Sequence, residues 1–516
     1  MANYLTPGVY VEENLAPPGL GDGSASRAVA AFVGIAPKGP TLPTRVRSWA
    51  QYVNLFGGFT GPTSWLPYAV YLYFANGGTS CFIARATRAD AVAATATLMD
   101  STKAQDQGPK PAFKVTALAE GVWGNATSIK IVPTGAPSGR FDLIVLDDGR
   151  ESERFTDLSS DPGDSRYVIS IVNSPYSGSI YLRLANQKVN TEGYQYNPAT
   201  DVVPAQTLVL NGGSEGVQAY DLAEAAKSLQ DVPAINFDLN LPGVSQVAVL
   251  NPIIDWAAST GRVFVVIDGP RAAEGSTSAQ VMAGYLSMVN AATPLVASSY
   301  AAIYGPWIMT SDPSSTLYGA VRLLPPGGAM LGQMAKTDVE RHVAKAPAGI
   351  PTTLAAVVAA EARFTEGELD TLADAHINVV RLIPGYGHCI MGARTLKREL
   401  PDRYVPVRRT LIMLRKTLAD TSRFAVFEPN GPDLWERVRL VLTKYLSGLL
   451  KAGVLAGQSE SEAFFVRCDQ DNNPQSQINA GRLNIDIGVA LRYPAEFVII
   501  RLGQHHGGTD SAEDNL

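Results

Sequence analysis

The chain has 516 residues, of which 46% are hydrophobic and 17% charged, so it is a folded protein of two to four domains rather than a disordered one. Its formal net charge of −6 argues against a general nucleic-acid binder. It has no apolar run of about 20 residues to insert in a membrane, and no secretory leader. Three scattered cysteines form no metal-binding spacing and fit a reducing cytoplasm. We therefore expect synthesis without a signal peptide and release by lysis or as part of an assembly.

The chain begins with a short strand candidate at residues 6–13, which carries Val9, Tyr10 and Val11. A turn-rich stretch, residues 16–23, follows and is typical of a spacer. We predict that residues 1–23 form an extended N-terminal arm that is exchanged with a neighbouring subunit. The alternative is an ordinary edge strand that pairs within its own chain.

Residues 24–99 and 207–400 are predicted to be two parts of one α/β middle domain. Apolar runs indicate strands at 29–34, 81–84 and 263–267, and helical patterns lie at 67–75, 217–229, 280–290 and 366–375. Between the two parts, residues 100–206 change to short strands at 113–115, 129–132, 141–146 and 181–184, separated by turn residues. This texture predicts a small β domain inserted into the middle domain.

Residues 401–493 are predicted to form a C-terminal α+β domain. It would hold a strand at 424–427, a helix from Pro432 to about Lys451, and a strand at 483–493 in which every odd position is apolar. Arg437, Lys444 and Lys451 recur every seven residues and so share one helix face. This basic stripe is a candidate surface for a partner; the alternative is a solvated helix face.

The last stretch, residues 494–516, is predicted to be a second arm. Its residues Phe497, Val498, Ile499 and Ile500 are apolar on both faces of a strand, and no turn sequence folds them back on the preceding strand. We predict that this strand completes a sheet in another copy of the chain, and an edge strand in its own subunit is the alternative.

We predict no catalytic, cofactor-binding or metal site, because the chain lacks a phosphate loop, a dinucleotide fingerprint and a zinc-protease motif. One sequence matches a catalytic pattern, the G-x-S-x-G motif around Ser214. Five histidines could complete a catalytic triad with this serine: His342, His376, His388, His505 and His506. Asp268, at the end of a buried strand, could hold a ligand, but a turn role before Gly-Pro is the simpler interpretation. The acidic turn at 147–149 lacks the ligand spacing of a calcium loop.

Several segments resemble those of contractile tail sheath proteins, which build phage tails, phage-tail-like bacteriocins and extracellular contractile injection systems. The C-terminal segments are 408–410 (RRT), 426–430 (VFEPN), 434–435 (LW), 453–457 (GVLAG) and 494–498 (PAEFV); the others are 6–13, 325–329 (PPGGA), 345–348 (KAPA), 378–381 (NVVR) and 392–396 (GARTL). The resemblance covers most of the chain and is densest from Leu323 onward.

This resemblance implies a structural subunit, made in the bacterial cytoplasm, that polymerises helically around an inner tube and contracts without nucleotide to drive the tube through a target envelope. It also implies that 401–493 faces the tube, that the inserted β domain lies outside, and that the arms join neighbouring subunits. The stripe of Arg437, Lys444 and Lys451 is then the candidate contact with the tube. The implied partners are further copies, the inner tube protein, and baseplate and terminal cap proteins. A non-contractile self-assembling shell or fibre subunit, or much more remotely a hydrolase using Ser214, are the alternatives.

Overall fold

The computed structural model describes residues 28–59, 64–100, 110–135, 139–174, 177–187, 202–232 and 235–496, which form a mixed α/β structure with several sheets. The strands are β1 (Val29–Gly34), β2 (Thr44–Val46), β3 (Cys81–Arg85), β4 (Thr95–Met99), β5 (Pro111–Ala117), β6 (Thr127–Gly135), β7 (Arg140–Asp147), β8 (Arg150–Leu158), β9 (Leu182–Asn186), β10 (Gln206–Val209), β11 (Phe237–Asn240), β12 (Val263–Asp268), β13 (Ala301–Gly305), β14 (Ile308–Ser311), β15 (Val321–Leu324), β16 (Val357–Ala360), β17 (Ile377–Ile383), β18 (Gly387–Met391), β19 (Phe464–Arg467) and β20 (Asp486–Val489). The helices are α1 (Trp49–Phe56), α2 (Leu66–Ala75), α3 (Val168–Val172), α4 (Leu222–Lys227), α5 (Val247–Thr260), α6 (Ser278–Asn290), α7 (Gly327–Glu340), α8 (Glu366–Asp374), α9 (Val405–Ser422), α10 (Pro432–Lys451), α11 (Glu460–Ala463) and α12 (Gln475–Asn479).

The largest sheet has eight strands in the order β18-β17-β13-β12-β11-β1-β3-β2. The six inner strands run parallel, and an antiparallel strand closes each edge. Every residue of β12 is buried, as expected for a parallel strand that is covered on both faces. The strands predicted from apolar runs are confirmed as β1, β3 and β12.

Helices α2 and α7 pack against each other so closely that α7 needs glycine at the contact. An added Cβ at Gly328 would lie 2.2 Å from the carbonyl oxygen of Ala69, and one at Gly332 would lie 2.7 Å from that of Tyr73. No side chain fits in that space without moving one helix. The close approach of the two backbones therefore explains a glycine in the PPGGA segment.

Between β3 and β11 the chain leaves the eight-stranded sheet and builds two antiparallel sheets, β10-β6-β7-β8 and β4-β5-β9. Their apolar core is separate from that of the large sheet and contains Phe113, Phe141 and Leu143. The strands predicted in this stretch are confirmed as β5, β6, β7 and β9. The antiparallel strands extend from Thr95 to Val209, slightly beyond the predicted 100–206 on each side.

The predicted helix at 217–229 begins later than expected. The side chain of Asp221 accepts a hydrogen bond from the backbone N–H of Glu224 at 2.8 Å and so caps α4 before Leu222. Val217 lies outside the helix and is 89% exposed, and a 3-10 turn at Ser228–Asp231 takes the place of its last residues. Helices α6 and α8 form as predicted, each with a capping box at its first turn.

The strand predicted at 424–427 is wrong. Helix α9 ends in a 3-10 turn, Arg423–Ala425, and the backbone then reverses through Phe427, which has a φ of 68° and is 89% exposed. Only a short loop separates α9 from α10, and Phe424 packs beside α10 rather than in a sheet. Helix α10 itself has the predicted bounds, and Gly453 follows it with a φ of 75°.

The strand predicted at 483–493 is shorter in the structure. Only β20 pairs, antiparallel to β19, and Leu491 adds a single bridge to Leu455. Ile485 and Ile487 pack toward α10 as their alternation predicted, but Tyr493 is 52% exposed. A partner strand of only four residues limits the length over which the sheet can form.

Candidate assembly surfaces of the C-terminal region

A buried ion cluster fastens α9 to the large sheet. The guanidinium of Arg409 donates to both carboxylate oxygens of Asp238 on β11, at 3.0 and 2.6 Å, and to both of Asp338 on α7, at 3.0 and 2.6 Å. Burial by itself lowers the pKa of Arg409, but the two carboxylates raise that pKa well above its usual value. Arg409 thus stays charged, and its bonds hold α9, β11 and α7 together.

The neighbouring Arg408 makes a second link between α9 and the large core. It donates to Asp402 at 2.7 Å, and its guanidinium lies 4.4 Å from the centre of the Tyr300 ring. Further along α9, Leu418 packs instead against the apolar clusters beneath α10. Helix α9 therefore connects the α/β core with the C-terminal elements.

The basic stripe predicted on α10 lies on the surface. Arg437, Lys444 and Lys451 are all exposed, while Val438, Leu442 and Leu449 of the same helix are buried. Arg437 lies 4.8 Å from the centre of the Phe424 ring. Across the described ranges, none of the three cations forms a salt bridge. Leu440 is 69% exposed and lies between Arg437 and Lys444 on this face, so the surface is basic with one apolar residue.

Strands β19 and β20 form a separate sheet, and the described part of the chain adds no third strand to it. Phe464 of β19 faces the core beneath α10, whereas Phe465 is 50% exposed. A two-stranded sheet is marginal by itself and presents backbone groups along its edges. It is therefore suited to receive a further strand.

After β20 the chain returns to the α/β part of the molecule, where the first three residues of the predicted C-terminal arm, 494–496, are described. There the carboxylate of Glu496 accepts three hydrogen bonds from Arg394 at 2.6–3.1 Å, and the Tyr493 ring lies 6.0 Å from that of Tyr404. The arm residues predicted to join neighbouring subunits lie outside the described residues: Val9, Tyr10, Val11, Phe497, Val498, Ile499 and Ile500.

The environment of Ser214 differs from that of a catalytic serine. The Ser214 hydroxyl oxygen accepts from the backbone N–H of Gly216 at 3.1 Å, and its backbone pairs with Val92. The strand before it, β10, is antiparallel, and the next helix begins only at Leu222, so the strand–turn–helix of a nucleophile elbow does not form. Among the described histidines, no ring hydrogen-bonds to Ser214, and His376 instead bonds to the Thr395 carbonyl oxygen at 2.9 Å.

Asp268 is fully buried and ties together loops at the carboxyl edge of the large sheet. It accepts hydrogen bonds from the backbone N–H groups of Gly327 at 2.6 Å and Gly243 at 2.9 Å, and from the Asn240 amide at 3.2 Å. Burial raises the pKa of its carboxyl to about 6, against the effect of these donors. Its contacts assign it a structural role in starting α7.

Within the described residues, the acidic turn after β7 contributes one ion pair. Asp147 accepts from Lys38 at 2.6 Å, and Asp148 adopts a φ of 48° in the turn itself. Within the described ranges, no three acidic, histidine or cysteine side chains cluster as metal ligands would.

Sequence reasoning missed the partners of the buried arginines and the Arg394–Glu496 pair. The adjacent Arg408 and Arg409 stand in a first half of α9 whose other residues, apart from Thr410, are apolar, which is a signal for buried ion pairs. The carboxylates that meet Arg409, Asp238 and Asp338, lie 171 and 71 residues away in the chain, so their identity carried no local signal. Asp402, which meets Arg408, is only six residues away, and its pairing was missed although it is local.

Comparison with known proteins agrees with the sequence resemblance. Residues 403–504 match the model of the phage tail sheath C-terminal domain. The tail sheath protein of Vibrio phage KVP40 is 23% identical over 403 residues, which cover 73% of this chain and 57% of that protein's length.

Solved sheath structures share the fold over nearly the whole chain. The contracted PVC sheath of an extracellular contractile injection system has a TM-score of 0.55 at 22% identity and covers 98% of this chain and 99% of its own. The contracted helical sheath of the anti-feeding prophage (AFP) has a TM-score of 0.55 at 22% identity, and the match covers 98% of this chain and 100% of that chain. A sheath tail protein from Listeria innocua has a TM-score of 0.56 at 12% identity, and the match covers 87% of this chain and 90% of that chain.

The fold and the matched C-terminal domain define a structural protein rather than an enzyme. Residues 403–504 match the phage tail sheath C-terminal domain, and the chain is similar along most of its length to tail sheath proteins, including the sheaths of AFP and PVC contractile injection systems. The family resemblance noted in the sequence is thereby confirmed. None of the helices in the described part of the chain is both long and apolar enough to span a bilayer.

Proposed function

We propose that the protein polymerises helically around an inner tube in an extended, metastable state and contracts to drive that tube through a target envelope. The observation that carries this proposal is the two-stranded β19–β20 sheet inside the segment that matches the sheath C-terminal domain. A sheet that has only two strands in the described part of its own subunit can be completed by strands from other copies of the chain. Two sheath proteins with the same fold have been solved in a contracted state, which supports the proposal that this sheath contracts.

The N-terminal arm, residues 1–23, and the C-terminal arm, residues 494–516, are the proposed donors of those strands. Burying apolar residues such as Val9, Phe497 and Ile499 in a neighbour contributes about 1.5–3 kcal/mol each before entropy is counted. A contact of this kind is heterologous and does not close on itself, so it generates a helical polymer. The strand links persist during contraction while weaker surface contacts rearrange.

The proposed arrangement places the C-terminal domain, residues 401–493, against the inner tube. The α/β middle domain, residues 24–99 and 207–400, then lies further out, with the inserted β domain of residues 100–206 on the outer surface. The separate core of the inserted sheets supports treating them as an independent unit.

The proposed contact with the tube is the basic stripe of Arg437, Lys444 and Lys451. Exposed cations without an ion-pair partner among the described side chains can meet an acidic tube surface and release it on contraction. Reversal of all three charges is expected to abolish extended sheath around tube, without loss of subunit folding. Recovery of normal extended sheath from that variant would refute the tube role and leave a solvated helix face.

The proposed particle is a phage tail or a phage-tail-like contractile particle, assembled in the bacterial cytoplasm and released by lysis. One AFP structure with the same fold is that of a baseplate, which supports baseplate proteins as partners, together with terminal cap proteins. Within this proposal the protein needs no nucleotide, because the energy for contraction is stored when the sheath assembles.

The test is assembly of the purified full-length chain, compared with variants that lack residues 1–20 or 494–516. We expect hollow striated tubes from the intact chain by negative-stain electron microscopy and dispersed subunits from both truncations. Normal polymers from either truncation would refute exchange of that arm. Closed shells or smooth fibres from the intact chain would favour a non-contractile assembly instead.

A further inference from the structure

The start of the C-terminal arm, residues 494–496, is anchored through Glu496 to the α/β part of its own subunit. We propose that Arg394 and Glu496 form a clamp that fixes the point from which the rest of the C-terminal arm, from Phe497 onward, leaves the subunit, and thereby the register in which it reaches a neighbour. This inference rests on the proposed exchange of that arm and adds the residues that position it.

The anchoring follows in sequence from the last strand. After β20, Leu491 bridges to Leu455, whose carbonyl oxygen accepts from the Arg492 side chain at 2.5 Å. The Tyr493 ring then meets Tyr404 edge to face. The contact made by Glu496, three residues further on, is the last before the apolar stretch that begins at Phe497.

Arg394 also forms hydrogen bonds within the α/β part that do not involve Glu496. Its Nη1 donates to the Ala373 carbonyl oxygen at the end of α8 at 2.6 Å, and its backbone N–H donates to Asn378 at 2.7 Å. The backbone of Arg394 also bridges to Tyr404, so both contact partners of the departing segment lie at one place. The guanidinium is therefore oriented by its own core rather than by the arm.

The pair has the geometry of a specific contact rather than of a loose surface ion pair. Nε contacts both carboxylate oxygens of Glu496 at 3.0 and 3.1 Å, and Nη2 contacts one at 2.6 Å. The side chains are 17% and 19% exposed. By contrast, Arg381 and Glu366 on the same α/β part are 3.8 Å apart and 39% and 86% exposed, which makes them a matched control pair.

The position of the clamp determines what it can control. Successive side chains of a strand point to opposite faces, so a shift by one residue would turn every apolar residue of the arm to the wrong face. Fixing Glu496, the residue before Phe497, sets which arm residues reach the neighbouring sheet. Without the clamp the arm keeps its sequence but loses its fixed starting point.

The test measures assembly of full-length E496Q and R394A, with E366Q and R381A as controls. We expect the two clamp variants to need about five times or more protein for half-maximal sedimentable polymer, the order expected for loss of one specific contact. The control variants assemble as the parent does. The melting temperature of unassembled E496Q stays at the parental value, and the exchanged pair R394E/E496R recovers part of the assembly.

A deletion of residues 497–516, which retains Glu496, separates the two levels of the hypothesis. If this deletion abolishes assembly while E496Q and R394A assemble like the parent, the clamp is refuted and arm exchange stands. If the deletion assembles normally, arm exchange itself fails and the clamp with it. A fall in the melting temperature of E496Q that matches its assembly defect would also overturn the clamp, because it would indicate loss of the fold.

Discussion

Replacing Arg409 with methionine should destabilise the subunit more than any change on its surface. The substitution leaves the carboxylates of Asp238 and Asp338 buried, with side-chain exposures of 6% and 2%, and without the four hydrogen bonds that the guanidinium supplies. Breaking a buried ion pair by removing one partner costs about 3–5 kcal/mol. We expect a loss of this size for R409M.

The matched control is R423A, at the end of the same helix. The side chain of Arg423 is 69% exposed and contacts Asp420 at 3.1 Å, so its removal should cost about 0–1 kcal/mol. R409K should fall between the two, because an ammonium keeps the charge but cannot contact both carboxylates bidentately. The variant R409M/D238N/D338N should regain part of the loss, since it also removes the two buried carboxylate charges that the arginine no longer balances.

The measurement is urea unfolding of the full-length subunit, combined with hydrogen exchange of peptides from α9 and β11. Exchange localises the effect, since a chain with several cores need not unfold in one step. R409M should speed exchange in both elements. A loss for R409M no larger than that for R423A would refute the view that this cluster holds α9 to the sheet.

Three further predictions concern single positions in the α/β part and the inserted β sheets. Burial raises the pKa of Asp268 to about 6, above its ordinary value of 3.8, so its contribution to stability is fully present below pH about 4 and is lost as the pH rises through 6. The free energy of unfolding in urea should therefore favour the parent over D268N less at pH 7 than at pH 4. A difference that stays constant over this range would contradict the prediction. G328A should destabilise by about 1–3 kcal/mol because its Cβ would meet the Ala69 carbonyl oxygen, whereas G367A, which meets no atom within 4 Å, should be neutral or stabilising by thermal denaturation. S214A should assemble like the parent, and the parent should show no esterase activity with a chromogenic ester. Esterase activity that is present in the parent and lost in S214A would instead support the hydrolase alternative.

The family resemblance was accessible from sequence because its segments keep their order along the chain, and the matched domain at 403–504 confirms it. The predicted roles of the two arms and of the Arg437, Lys444 and Lys451 stripe remain predictions. The structure bears on them only by exposing the stripe and by leaving β19 and β20 as a pair within the described residues.

Local patterns by themselves determined most secondary elements of this protein. The continuous apolar run of β12 and the Pro432 and Gly453 that bracket α10 carry their information within a few residues, so they could be located before any contact was known. Where the pattern was short, as at 424–427, the packing of α9 against α10 decided the conformation instead.

Tertiary structure alone decided which charges meet. Arg409 lies 171 residues from Asp238, and Arg394 lies 102 residues from Glu496. An ion pair depends on distance and burial, which the topology of the sheet sets, whereas strand and helix periodicity depends on neighbours in the chain. The residues that bind α9 to the sheet and hold the base of the C-terminal arm therefore emerged only when the chain was folded.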